Sequence, residues 1–266
     1  QRQMCIRDRI YDAMGWDVPN FAHIPLIHGQ DGKKMSKRHG ALGIETYREQ
    51  GFLAQAMRNY LLRLGWSHGD EEIISRKKAI EWFDLDGAGR APSRFDLAKL
   101  ESLNGHYIRI TPVSTLTNLI LDAYRNETLD CDHKTAENRI KAALPFLIKR
   151  AKNTVELIDL SRFLLKQHNY PLAEIKAKQL IASGLPEIRK IQQVFSEMED
   201  WSEDTLNTSL RTLADGLQLD FSKLAQPLRV ALTGSTKSPG IFDVMTILGR
   251  TETLRRLERV PHDKTH

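Results

Sequence analysis

From Thr111 onward the apolar residues recur every three or four positions and do not settle into alternation, which restricts that half of the chain to packed helices. Ile140, Ala143, Leu144, Leu147 and Ile148 form one such stripe, and Val155, Ile158, Phe163 and Leu164 a second. Ile188, Ile191, Phe195 and Met198 follow, then Leu206, Leu210 and Leu213. Thr111-Pro112 offers a threonine cap with proline at the first helical position, ahead of Val113, Leu116, Leu119, Ile120 and Ala123, and a domain boundary is placed there. Gly184-Leu185-Pro186 and Gly216 punctuate the run, and Ser238-Pro239-Gly240 starts a last helix that ends at Gly249. No unit of about 20–50 residues repeats, so the helices do not form a solenoid of identical modules.

The first half is more varied. Ile24 to Ile27, ended by Gly29, reads as a short buried strand, and a strand needs partners from elsewhere. Phe52, Ala56, Met57, Tyr60, Leu61 and Leu64 share one helix face closed by Gly65, with Arg58 and Arg63 on the outer side. Asp86 to Pro92 is a Gly/Pro-rich loop. Ser93 with Asp96 then resembles a helix start, with Leu97, Leu100 and Leu103 running to a stop at Asn104-Gly105. Gln1 to Arg9 shows no cap, no apolar period and no hydrophobic core of a signal peptide.

At 266 residues the chain should hold two or three domains, and 41% hydrophobic against 27% charged residues is enough to fold them. The longest apolar run, Ala142 to Ile148, falls far short of the roughly 20 residues that span a bilayer. Two cysteines supply neither a thiolate zinc site nor a disulfide framework, which fits a reducing cytosol.

Net charge is only +5, but its distribution is informative. Lys33, Lys34, Lys37 and Arg38 crowd into one glycine-flanked loop, where mobile ammonium groups can swing onto a polyphosphate. Displacement at phosphorus moves negative charge onto the leaving oxygens, and cations positioned for that charge lower the barrier. The glycine-rich Walker pattern is absent. A lysine-rich loop alone is more often a solvated turn.

His23-Ile24-Pro25-Leu26-Ile27 followed by Asp31-Gly32-Lys33-Lys34-Met35-Ser36-Lys37-Arg38 resembles the second signature of class I aminoacyl-tRNA synthetases, in the form used by the glutamyl enzymes. The resemblance continues through Gly51-Phe52-Leu53, Asn59-Tyr60-Leu61 and Leu64-Gly65-Trp66, then Phe95-Asp96 to Tyr107-Ile108-Arg109. It returns at Leu228 to Gly234, Ser238-Pro239-Gly240 and Leu248-Gly249, covering Ile10 to about Val260. The implied fold is mainly α. Residues 10–40 would be the edge of a Rossmann-like nucleotide-binding domain with its KMSKS-type loop, 41–110 a stem-contact domain, and 111–266 an all-helical anticodon-binding domain of one unit or of two subdomains divided near 184–186. Gln1 to Arg9 falls outside the match and is read as an N-terminal scar.

The resemblance implies that Lys37 contacts the ATP phosphates and stabilises the transition state, assisted by Lys34, with Met35, Ser36 and Arg38 in the same loop. The backbone at Leu26 and Ile27 would meet the adenine edge. The implied partners are ATP with Mg2+, for which no protein ligand is assigned, L-glutamate and tRNA(Glu), with no membrane and a cytoplasmic monomer. The family's first signature, a His-x-Gly-His turn, occurs nowhere here, so the chain looks like a C-terminal fragment inactive alone. Lys149-Arg150-Ala151-Lys152 and Arg250 with Arg255-Arg256 are basic helix faces in the anticodon-binding half. Arg150, Lys152 and Arg58 are the tRNA-contact candidates, although such runs are usually solvated faces. Trp66, Trp82 and Trp201 could stack on bases but more often pack, and neither His28 nor His39 is given a catalytic role. A glutamine–tRNA ligase would share the loop but carry a β-barrel anticodon module, and a non-catalytic tRNA-binding module is the third reading.

Overall fold

The computed structural model describes residues 2–20, 24–35, 43–169 and 172–261. It divides into two compact units, one of residues 1–42 and 57–97, the other of residues 43–56 and 98–266. Helices dominate both: α1 (Arg2–Ala13), α2 (Ile44–Glu49), α3 (Ala54–Gly65), α4 (Arg76–Trp82), α5 (Leu97–Ile110), α6 (Val113–Ala123), α7 (His133–Leu147), α8 (Thr154–Leu165), α9 (Ile175–Ser183), α10 (Leu185–Glu197), α11 (Glu203–Gly216), α12 (Phe221–Thr233) and α13 (Ile241–Glu258). Two short strands, β1 (Ile27–His28) and β2 (Ser93–Arg94), complete the described elements. No described helix is long and apolar enough to cross a membrane.

In the first unit, β1 pairs in parallel with β2, Ile27 opposite Ser93 and His28 opposite Arg94. The partner for the strand predicted at Ile24–Ile27 is therefore the segment read as a helix start. Ser93 does not cap a helix. Its hydroxyl donates to the Leu64 carbonyl, and the Asp96 N–H donates to the Tyr60 hydroxyl at 2.6 Å, so α5 begins one residue later. Tyr60 also meets Phe95 edge-on, with ring centroids 5.1 Å apart. Of the stripe predicted on α3, Ala56, Met57 and Tyr60 are buried and Leu61 is exposed. Asn59, buried beside them, donates to the Glu72 carbonyl and accepts the Ile74 N–H at 2.7 Å, which holds the stretch before α4. α1 starts inside the segment for which no periodicity was predicted.

The second unit holds one continuous core, built from Ile108, Leu116 and Ile120 through Leu144, Leu157 and Phe195 to Leu228, Met245 and Leu257. Thr111 does not cap α6: its hydroxyl donates backward to the Tyr107 carbonyl at 2.7 Å, which satisfies the end of α5. Asn104-Gly105 does not stop α5. The Asn104 side chain is buried and shared, accepting the Leu53 N–H at 2.8 Å and donating to the carbonyls of Gly51 (3.3 Å) and Lys152 (2.7 Å). Gly51 sits at φ +85°, and a Cβ there would lie 2.7 Å from the Val155 nitrogen, so only glycine allows its carbonyl to accept the Thr154 N–H at 3.0 Å. The last predicted helix does break at Gly249 (φ 78°, ψ 167°), and a further stretch of α13 follows the kink.

Asn104→Ala removes three hydrogen bonds from a buried site and should cost about 3 kcal/mol in urea unfolding. A loss below about 0.5 kcal/mol would show that water replaces the amide.

Candidate functional site

The sequence points to two places, one in each unit. In the first, the chain leaves β1 and turns back on itself. Gly29 donates to the Lys33 carbonyl at 2.8 Å, the Lys33 N–H to Asp31 Oδ1 at 3.0 Å, and the Met35 N–H to the Ile27 carbonyl at 2.9 Å. Lys34 forms an antiparallel bridge with His28. On the opposite edge the His28 carbonyl accepts the Phe95 N–H at 2.8 Å. The hairpin thus fixes the backbone of Leu26, Ile27, Lys34 and Met35 beside one another, leaving the Lys34 side chain exposed and Met35 half-buried. Leu26 is 50% exposed. Ser36, Lys37, Arg38 and His39 lie outside the described residues.

In the second unit, Lys149 to Lys152 occupy the turn between α7 and α8 and not a helix face. Ala151 is buried, and Lys149, Arg150 and Lys152 are exposed. The Lys152 ammonium pairs with Glu101 at 3.1 Å. Burial first, and then the charge of Arg150, hold the guanidinium of Arg229 on α12 below its ordinary pKa. Arg229 donates to the Ser238 carbonyl at 3.2 Å and also to the Ser238 hydroxyl and the Pro239 carbonyl, which fixes the entry to α13. No carboxylate ion-pairs with either guanidinium among the described residues. Two neighbouring cations without an anion form a place for a phosphate or for the acceptor edge of a base. Arg58, on α3 in the first unit, is exposed.

The second predicted basic face is not a face. Arg256 is fully buried, bonded through Nε to Glu252 at 2.6 Å and through Nη1 to the Leu232 carbonyl at 2.6 Å. Arg255 pairs with the same carboxylate at 2.9 Å. Arg250 donates to the carbonyls of Met198 and Ser196, both at 2.9 Å, where α10 ends. Arg250 and Arg256 close helix ends while Arg255 pairs within α13, and charge periodicity alone does not separate those roles from RNA contact. The tryptophans also pack: Trp66 is buried with its indole N–H on the Asp84 carbonyl at 3.0 Å, and Trp201 donates to the Met245 carbonyl at 3.1 Å. Trp82 stacks on His68 at 4.5 Å beneath the Lys78 ammonium. Arg229 escaped the sequence reading as a site residue, because its signal is spatial: a guanidinium one helix away from Arg150. Among the described residues no three His, Cys, Asp or Glu converge as a metal site.

The family model "Anticodon binding domain" matches residues 115–261, more than half of the chain. The model "tRNA synthetases class I (E and Q), catalytic domain" matches residues 3–102, so its match begins inside the segment Gln1 to Arg9. Glutamate–tRNA ligase 2 of Zymomonas mobilis is 49% identical over 94% of this chain, and that of Paramagnetospirillum magneticum 47% over 94%. The chain belongs to the glutamate–tRNA ligase family of class I aminoacyl-tRNA synthetases. It spans about half the length of these relatives, 52% and 53% respectively. The glutamate tRNA ligase of Elizabethkingia meningosepticum, crystallised in complex with its amino acid, superimposes with a TM-score of 0.79 at 26% identity, over 97% of this chain and 54% of that one. The Elizabethkingia anophelis enzyme gives 0.75 at 27%.

His168 packs against the end of α12 beside this network, and burial, with the charges of Arg256 and Arg259, lowers its pKa to about 4. The unfolded imidazole titrates near 6.5, so below that pH unfolding takes up a proton and stability falls as pH drops toward 4. His168→Gln should remove about 2 kcal/mol of the stability that the parent loses between pH 7 and pH 5, measured by urea unfolding at both values. Parallel losses in the two proteins would show that another group governs the acid sensitivity.

Proposed function

We propose that this chain provides the ATP-contacting loop and the tRNA-holding surfaces of a glutamate–tRNA ligase. The observation that carries the reading is the hairpin: the Ile27 carbonyl bonded to the Met35 N–H places the strand assigned to the adenine edge directly beside the first lysine of the loop. ATP laid along Leu26 and Ile27 extends its phosphates toward Lys34 and Lys37. A carboxylate oxygen of glutamate attacks the α-phosphorus, the bond to pyrophosphate breaks, and the lysine ammonium groups meet the charge gathering on the departing oxygens. Mg2+ enters with ATP as part of the substrate. A hydroxyl of the terminal adenosine of tRNA(Glu) then attacks the acyl carbon and AMP leaves. Met35 and Ser36 shape the loop, and Arg38 joins Lys34 and Lys37 in binding ATP.

Residues 10–40 are proposed as the edge of the nucleotide-binding domain, 41–110 as the stem-contact domain, and 111–266 as the anticodon-binding domain. Within the last, Arg150 and Arg229 present unpaired positive charge to the RNA, with Lys152 exchanging Glu101 for a phosphate and Arg58 meeting the stem. An exposed ion pair such as Lys152–Glu101 is worth only about 0.2–1 kcal/mol, so the exchange costs little. The protein is proposed to act in the cytoplasm as a monomer.

ATP–pyrophosphate exchange and filter binding of tRNA(Glu) test the two halves of this reading separately. The chain as it stands should show no exchange and weak tRNA retention that falls steeply with salt. In a version extended upstream, Lys37→Ala should abolish exchange while keeping tRNA retention; unchanged exchange would refute the role given to that ammonium. Arg150→Ala should weaken tRNA retention about tenfold, the loss expected for one charge-assisted contact, and leave exchange intact.

A further inference from the structure

We propose that the helical unit encloses one chloride-sized anion where the chain leaving α8 packs against the last turns of α12 and α13. Three polar side-chain atoms sealed from solvent there have no hydrogen-bond partner among the described residues: Gln167 Nε2, Thr253 Oγ1 and Arg256 Nη2. Their side chains are deeply buried, Gln167 at 8% exposure and Thr253 and Arg256 at 0%. A buried donor without an acceptor is costly, so three together mark a place where something accepts.

The contacts around these atoms put them in one region. Gln167 Oε1 accepts Arg259 Nη1 at 2.8 Å, and Arg259 stands three residues beyond Arg256 at the end of α13. The charges of Arg256 and Arg259 both reach His168, the residue after Gln167. His168 in turn packs on Gly234, two residues beyond the Leu232 carbonyl that accepts Arg256 Nη1. Thr253 precedes Arg256 by three residues and shares its helix surface. A helical threonine often turns its hydroxyl to the carbonyl four residues back. Here that residue is Gly249, whose φ of 78° and ψ of 167° break the helix, and the hydroxyl has no such bond.

The chemistry of the three atoms selects the occupant. An amide NH2 and a guanidinium only donate, and the threonine hydroxyl can donate as well. Water would bring two protons of its own, for which only the threonine oxygen could serve as an acceptor among these atoms, whereas a halide accepts from all three. Charge points the same way. Glu252 is shared between Arg255 and Arg256, while Arg139 donates to carbonyls and Arg259 to an amide oxygen. Burial outweighs Glu252 and lowers the Arg256 pKa, as expected of a guanidinium short of counter-charge. One negative charge at Arg256 Nη2 supplies the balance.

Urea unfolding of the whole chain in sodium chloride and in sodium gluconate of matched ionic strength tests this, because gluconate is far larger than a halide. An ion bound only by the folded chain stabilises it with the logarithm of the ion concentration, so the midpoint should climb with chloride and stay level in gluconate. The chloride NMR line should broaden with the parent chain. Gln167→Glu brings its own carboxylate oxygen to the place of Nε2 while still accepting Arg259. It should match the chloride-loaded parent in gluconate and lose both the chloride dependence and the broadening. Thr253→Val keeps the side-chain shape and removes one donor. It should weaken chloride binding about tenfold, the loss of one charge-assisted hydrogen bond, and it carries the test if Gln167→Glu does not fold. Equal midpoints in the two salts would put internal water at the site and overturn the proposal, as would an undiminished chloride dependence in either variant.

Discussion

Each helix ends on carbonyls that its own backbone leaves unpaired, and a bundle with many short helices around one core brings several of those ends inward. In the second unit arginine closes them. Arg139 donates to the Leu164 carbonyl at the end of α8 and to Leu248 just before the Gly249 break. Arg189 reaches Val260 at 2.6 Å beyond the end of α13, Arg250 closes α10, and Arg256 closes α12 from a fully buried position. A cation at a helix C-terminus gains from the aligned peptide dipoles as well as from the hydrogen bonds, so one side chain satisfies both requirements. The buried Arg256 needs a counter-charge as well, and Glu252 supplies it while also pairing with Arg255.

That arrangement decides where positive charge remains for a polyanion. A count of basic residues along α13 suggests a nucleic-acid face, yet its arginines are bonded to Glu252 or to the carbonyls of Ser196, Met198 and Leu232. In the α7–α8 turn Arg150 stays exposed, whereas Arg229 on α12 is half-buried and bonded to the Ser238–Pro239 segment. The same scaffold that consumes guanidinium groups holds those two in place, through Asn104 on the Lys152 carbonyl and through Arg229 on the Ser238–Pro239 segment. In the first unit the positioning device is backbone pairing: a strand of two residues, bonded on one edge to Phe95 and on the other to Met35, starts the lysine loop in a fixed direction.

The helical half was legible from its periodicity: the stripes on α7, α10 and α11 follow the buried residues, while on α8 Phe163 and Leu164 are buried but Val155 is exposed and Leu157 takes the core position. α9 was missed because Ala177, Leu180 and Ile181 give a single short face beside an exposed Ile175, too little apolar contrast to register. Ser93, Thr111 and Asn104 misled for a common reason. Each is a residue type that caps or terminates helices locally, and each is instead engaged by a carbonyl or amide, on Leu64, on Tyr107, and on Gly51, Leu53 and Lys152. Distant partners, which no local window contains, decided Ser93 and Asn104, whereas Thr111 bonds four residues back to the last turn of α5. The loop lysines were legible through a motif, whereas the Arg150–Arg229 pairing spans 79 residues and needs the fold to bring it together.

The central claim is that the helical unit holds the anticodon arm of a tRNA through a few outward-facing cations set in an arginine-closed bundle. Hydroxyl-radical footprinting of tRNA(Glu) with this chain tests it most directly. Protection concentrated on the anticodon loop, lost with Arg150→Ala and Arg229→Ala, is the predicted result; a tRNA protected evenly along its length, or not at all in the anticodon loop, would contradict the account.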